Sequence, residues 1–110
     1  VEKKRSRAIR LVRELKARFS HAIIDVGDHN PRGFTCVVNC SPSGMTTADA
    51  MPIDIDQLDP GTAVVDLVLK PVNPPLLKAA QEMGCRTANG NTVLAAQVDL
   101  IADFFLIARG

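Results

Sequence analysis

Val37-Val38-Asn39-Cys40-Ser41-Pro42-Ser43-Gly44-Met45 takes an apolar, β-branched run straight into Asn, Ser, Pro and Gly. The first residues suit a strand covered on both faces, and the later ones end it in a loop. Ligands of open parallel sheets bind beyond such carboxyl ends. Asn39 and Ser41 offer side-chain donors there, and Gly44 permits either a turn with positive φ or the close approach of a ligand. By composition alone the stretch is more often an ordinary loop, so its meaning depends on what flanks it.

Outward from it, Ala22 to Val26, Thr35 to Val38 and Ala63 to Leu69 are short apolar runs rich in Val and Ile and bounded by Gly, Pro and Asn. They are expected to be strands buried on both faces. Pro74-Pro75-Leu76-Leu77-Lys78-Ala79-Ala80-Gln81-Glu82-Met83-Gly84 has Pro near a helix start and Gly just past its last turn, the order helices prefer. Arg86 to Ala88 fits a last short strand. Thr92 then caps a helix from about Val93 to Ala108, with Leu94, Val98, Ile101, Phe104 and Phe105 expected inward. Near the start, Ser6 is the expected N-cap of a helix whose inner face is Ala8, Leu11, Val12, Leu15 and Phe19. This alternation predicts an α/β fold, a partial Rossmann-like parallel sheet with flanking helices that forms the second half of a doubly wound domain.

One join strains that scheme. A parallel crossover usually needs a dozen or more residues, and the link from Asp28 to Phe34 is shorter. Passing two strands and returning takes about 22 Å, against a reach of at most roughly 25 Å for seven residues. Either a crossover is missing there or the loop is stretched nearly to its limit, and residues are also expected to be missing before Val1, where the chain opens without an initiator Met.

The 110 residues, 46% of them apolar, suffice for one globular core. No apolar run approaches the roughly 18 residues that span a bilayer, and no leader-like segment is present, so a cytoplasmic protein without a membrane partner is expected. Cys36, Cys40 and Cys85 are odd in number and lack a zinc-type spacing, so they are expected to be free and mostly buried, with no metal site. Basic charge is concentrated in Lys3, Lys4, Arg5, Arg7, Arg10, Arg13, Lys16 and Arg18. Such a run is compatible with nucleic acid, with a phosphate-bearing cofactor or with a solvated helix face. The absence of Trp and Tyr removes the usual base-stacking groups, so no nucleic-acid partner is expected.

Glu2 ends the first readable strand, where a dinucleotide-binding fold places an acid on the adenosine ribose, and Lys3, Lys4 and Arg5 follow it. The acid favours NAD, whereas the cations favour the 2′-phosphate of NADP. A plain charged turn is the third possibility at this point. Farther on, Val64-Val65-Asp66-Leu67-Val68-Leu69 leads into Lys70-Pro71, and Asn89-Gly90-Asn91-Thr92 opens the helix that carries Gln97. Gln97 can donate and accept at once, which suits a polyol or carboxylate ligand, although by itself such a residue is more often part of a solvated helix surface.

Read together, these pieces resemble the carboxyl-terminal part of the NAD(P)-binding domain in the shikimate/quinate dehydrogenase family. Asn39-Cys40-Ser41-Pro42-Ser43-Gly44-Met45 is similar to the family's Asn-Ala-Thr-Pro-x-Gly-Met, and Pro52-Ile53-Asp54 to its Pro-Leu-Asp, with Gln57-Leu58 where a short helical turn belongs. Asp66 to Leu77 is similar to Asp-hydrophobic-Val-Tyr-x-Pro-x-x-Thr-Pro-Leu-Leu, and Gly90 to Gln97 to Gly-x-x-Met-Leu-x-x-Gln.

The resemblance implies reversible oxidation of a ring hydroxyl of a shikimate-like acid, linking shikimate to 3-dehydroshikimate, with NADP or NAD as cofactor, within aromatic amino acid biosynthesis. It implies cofactor contacts at Asn39, Ser41, Leu67 and Gly90, joined by Glu2 and Lys3 at the ribose end, and substrate contacts at Leu69 and Gln97. A homodimer is compatible with it. The family's Gly-rich phosphate loop and catalytic Lys and Asp match nothing here, so no catalytic residue is assigned in this chain, and by itself it is expected to be inactive and prone to aggregate along an open sheet edge. Two departures stand out: Leu69 replaces the family Tyr and Val93 the family Met. They bear on which acid is used, and they keep open a second function, a dehydrogenase-like domain that binds a small acid or nucleotide without turning it over.

Overall fold

The computed structural model describes residues 4–46 and 49–108, with side chains in the last helix only as far as Leu106. The described chain forms two compact units, the first ending at Asn30 and the second beginning at Pro31.

The first unit holds helix α1, Arg5–Arg18. Its N-cap is Lys4 rather than Ser6, and the amides of Arg7 and Ala8 reach the Lys4 carbonyl at 2.9 and 3.2 Å. Exposed amides in the first turn can be satisfied by water, so the helix starts before its best capping side chain. Lys16 and Arg18 lie in the last turn, where positive charge offsets the helix dipole. Of the expected inner face only Ala8 is buried; Val12 and Leu15 are half-buried, and Leu11 and Phe19 are exposed. Ala22 to Val26 forms no strand, and Ile23 is 97% exposed. A strand needs a paired neighbour to satisfy its amides, and β-branched composition alone does not provide one. The short crossover after Asp28 therefore has no strand to leave. Asp28 instead accepts the Asn30 amide at 2.9 Å in a local turn.

The second unit is built on three parallel strands, β1 Cys36–Asn39, β2 Ala63–Asp66 and β3 Arg86–Asn89, in the order β1-β2-β3. This is the Rossmann-like arrangement expected, with shorter strands. The β1–β2 link carries a 3-10 turn, Ile55–Gln57, and the β2–β3 link carries helix α2, Pro75–Glu82. Pro75 opens α2, where its missing N–H costs nothing. Gly84, at φ +82, closes it: its amide bonds to Gln81 O and that of Cys85 to Ala80 O, both at 3.0 Å. That pair of bonds is the Schellman ending, which needs a residue in the left-handed region.

Alternation along the strands sends Val37, Asn39, Val64 and Asp66 to the face covered by α2 and the 3-10 turn. Leu58, Val64, Leu76, Leu77, Ala80 and Cys85 form the core there, flanked by Val37, Ile53, Ile55 and Met83. Leu76 and Leu77 are fully buried, and each contributes about 1.5–3 kcal/mol of burial. On the opposite face Cys36, Val38 and Arg86 are exposed and Val65 is half-buried, so the strands are covered on one face and not on both. The helices that the unit supplies to this sheet explain the difference. Helix α3, Gly90–Ala108, leaves the end of β3 and contacts chiefly that strand among the described residues. Leu94, Val98, Ile101, Phe104 and Phe105, expected inward, are consequently exposed. No helix among the described residues is long and apolar enough to cross a membrane.

Candidate functional site

The parallel register aligns Asn39, Asp66 and Asn89 as the last residues of the three strands. Strand periodicity gives them the same face of the sheet. Asn39 and Asp66 are buried, Asp66 completely.

Asn39 organises the loop beyond β1. Its Nδ2 donates to Ser43 O at 3.0 Å and to Asp66 Oδ1 at 3.2 Å. Its Oδ1 accepts the Ser41 amide at 3.1 Å and the Ser41 hydroxyl at 2.6 Å, while the Ser43 amide donates to Ser41 Oγ at 3.3 Å. The donors expected to face a ligand are thus engaged within the loop, and what they provide is its shape. Farther along, the Gly44 and Thr46 amides both donate to Asp49 Oδ2, at 3.1 and 3.0 Å. Gly44 has φ +101, and a Cβ there would meet Pro74 and Pro75 at an ordinary 3.7 Å. This is the positive-φ turn expected of it.

Beyond β2 the chain stays tied to the same network. The Leu67 amide donates to Asn39 O at 3.0 Å, and the Val68 amide to Asp66 Oδ1 at 3.0 Å. Val68 turns inward, leaving Leu67 and Leu69 outward at 39% and 45% exposure. The Lys70–Pro71 peptide that follows is cis. Gly90 is buried directly beneath this backbone: a Cβ on it would lie 2.7 Å from Leu67 O and 2.9 Å from Val68 O. One residue earlier, Asn89 Oδ1 accepts the Thr92 amide at 2.9 Å and the Thr92 hydroxyl at 3.1 Å. Asn89, not Thr92, therefore caps α3, and Thr92 is a partner of the cap.

Asn39, Ser41, Leu67, Leu69 and Gly90 thus come together at the carboxyl end of the sheet. Gln97 stands about two turns into α3, exposed, and its side chain makes no hydrogen bond among the described residues. Glu2 and Lys3 lie outside the described residues. Two residues of this row are not among the expected ligand donors: Asp66, whose signal is a carboxylate inside the apolar run Val64 to Leu69, and Asn89, recognisable as a capping residue at a strand-to-helix junction. Among the described residues no cluster of His, Cys, Asp or Glu is placed to hold a metal ion.

The cysteines stand apart from this row. Cys36 and Cys40 are exposed, contrary to the expected burial, because they face the uncovered side of β1 and its loop. Cys85 is buried before β3, with its Sγ donating to Asp59 O at 3.4 Å. Burial first, and the negative Asp59 second, push its thiol pKa up.

No family model matches the chain. Among curated proteins it is 41% identical over 66 residues to the NADP(+) shikimate dehydrogenase of Methanocella arvoryzae, covering 60% of this chain and 24% of that protein. It is also 40% identical over 65 residues to the corresponding enzyme of a Geobacter species, with 59% and 22% covered. The chain spans about a quarter of the length of the curated relatives it matches. Among solved structures it superposes on the quinate dehydrogenase of Corynebacterium glutamicum in complex with NAD, with a TM-score of 0.67 and 29% identity, over 79% of this chain and 33% of that one. A shikimate dehydrogenase from Aquifex aeolicus shares the fold at a TM-score of 0.66 and 23% identity, over 84% and 32%. In sequence and in fold, the chain is similar to a part of the shikimate and quinate dehydrogenases, the family its motifs resemble.

Proposed function

We propose that this chain forms the nicotinamide-side wall of the cofactor cleft in an NAD(P)-dependent dehydrogenase of shikimate-like acids. The observation that carries the reading is the network at the strand ends, where Asn39 and Asp66 fasten two loops together and Gly90 lets α3 begin against the Leu67–Val68 backbone. Ligand sites of open parallel sheets lie at such ends.

The residues present fit a nicotinamide. Leu67 and Leu69 present apolar surface that can cover one face of a flat ring and keep water away. The Asn39–Ser41–Ser43 loop is cross-linked by its own hydrogen bonds, which can hold its backbone polar groups in one place. The bound cofactor would take or return the hydride. Gln97, whose side-chain amide has no hydrogen-bond partner among the described residues, would contact the polyol acid, and Leu69 would shape the same subsite without a hydroxyl. Glu2 and Lys3 would serve the adenosine ribose, and NADP and NAD are both compatible with that pair.

The pyrophosphate loop and the catalytic Lys and Asp of the family match no residue of this sequence. They would come from other segments of the working enzyme, a soluble cytoplasmic protein taking a small-molecule substrate, with a homodimer compatible with the family and no nucleic-acid or membrane partner. The test is to follow cofactor reduction by the full natural polypeptide with shikimate and then quinate, with each nucleotide. Turnover of either acid is expected; turnover of neither overturns the reading. The Leu69 and Val93 replacements favour a second reading, a domain that binds such a ligand without converting it. Ligand binding with no cofactor reduction would identify that case.

A further inference from the structure

The geometry points to Asp66 as a positioning residue: one oxygen of its carboxylate clamps the loop after β1 to the loop after β2 and thereby sets the place of Leu67. This inference rests on the cofactor reading above and assigns a role to a residue that cannot itself touch a ligand, being fully buried.

Asp66 Oδ1 accepts one hydrogen bond from each loop system. The first comes from Asn39 Nδ2, which also holds Ser43 O, and the second comes from the Val68 amide. Leu67 lies between the donor at 68 and the carboxylate at 66, and its own amide is fixed to Asn39 O. Leu67 is therefore held from both sides, by backbone to β1 and through Asp66 to its own loop. A displacement of Asp66 would move the β1 loop and Leu67 together.

Packing alone does not account for the residue. Its in-register neighbours on the same face are Asn39 and Asn89, and the position two residues earlier, Val64, belongs to the apolar core. Asp66 Oδ2, by contrast, is buried without a hydrogen-bond partner among the described residues. A buried carboxylate oxygen left unpaired lowers stability, and an uncharged side chain could fill the same volume without that penalty. What an apolar replacement could not do is join the two loops.

The test uses the full natural polypeptide and two ligands, the intact dinucleotide and adenosine diphosphoribose, which lacks the nicotinamide. Dissociation constants are measured by calorimetry for the natural protein and for Asp66→Ala, Asp66→Val and Asp66→Asn, with thermal unfolding of each. Asp66→Ala and Asp66→Val are expected to weaken the dinucleotide about tenfold or more while changing adenosine diphosphoribose less than about twofold. Asp66→Asn, which keeps an oxygen acceptor, is expected to stay within about threefold of the natural protein. Equal weakening of both ligands, or of neither, makes the role structural and overturns the inference. So does failure of both the Ala and Val variants to fold, which would assign Asp66 to the core. Failure of the natural protein to bind any dinucleotide would instead refute the cofactor reading.

Discussion

The amide nitrogen of Asn39 bridges Ser43 O at 3.0 Å and Asp66 Oδ1 at 3.2 Å, so a single side chain at the end of β1 closes its own loop and reaches the neighbouring strand. Both partners are buried, and neither bond can be exchanged for water without opening the strand ends.

Replacing Asn39 with Ala should therefore cost more than a surface change. Loss of its bonds leaves Asp66 and the Ser43 carbonyl short of partners, a penalty of about 1–3 kcal/mol. Urea unfolding of the natural and Asn39→Ala polypeptides measures it. An unchanged midpoint would show that the network is not formed in solution.

Gly90→Ala is expected to be damaging for a different reason. Its Cβ would approach Leu67 O to 2.7 Å and Val68 O to 2.9 Å, both backbone atoms that cannot rotate away. Overpacking of this kind costs about 1–3 kcal/mol, although Ala is otherwise the better helix former. Since relief requires moving the Leu67 backbone, dinucleotide affinity should fall together with stability. Gain of stability with unaltered affinity would contradict the close approach.

Gln97→Ala separates function from folding. The side chain is exposed and unbonded among the described residues, so the unfolding free energy should change by no more than about 0.5 kcal/mol. In the full polypeptide, kcat/KM for the acid should nevertheless drop at least about tenfold, with cofactor affinity nearly unchanged. Equal substrate dependence in both proteins removes Gln97 from the substrate site.

The cysteines give a pH test. An ordinary thiol ionises at about pH 8.5, and burial with Asp59 nearby holds Cys85 above that. Between the unfolded and folded values the native chain retains a proton that the unfolded chain has lost, so stability falls as pH rises. Below the unfolded value this contribution is fully present. Cys85→Ala should therefore flatten the alkaline part of the stability profile, measured by urea unfolding across pH. In the native protein, alkylation mapped by mass spectrometry should modify Cys36 and Cys40 before Cys85, and an early Cys85 adduct would argue against its burial.

The parallel α/β character, the strand at Val37, the strand beginning at Ala63 and the helix between Pro75 and Gly84 are legible in local chemistry: β-branched runs, a Pro that opens a helix and a Gly that can take positive φ at its end. That Asn39, Ser41, Leu67 and Gly90 share one site was implied only by the resemblance of their motifs to those of the dehydrogenase family. The remainder depended on contacts between elements distant in sequence. Ala22 to Val26 has the composition of a strand but gains no partner, and Leu94, Val98, Ile101 and Phe105 have the spacing of an inner face but meet no opposing element among the described residues. Periodicity states which residues could be covered, whereas covering them requires a second surface. The same distinction holds at the site. Asn39 was legible as a polar residue at a strand end, but that its amide would turn inward to Asp66 depended on the register of β1 against β2, a relationship between residues 27 positions apart.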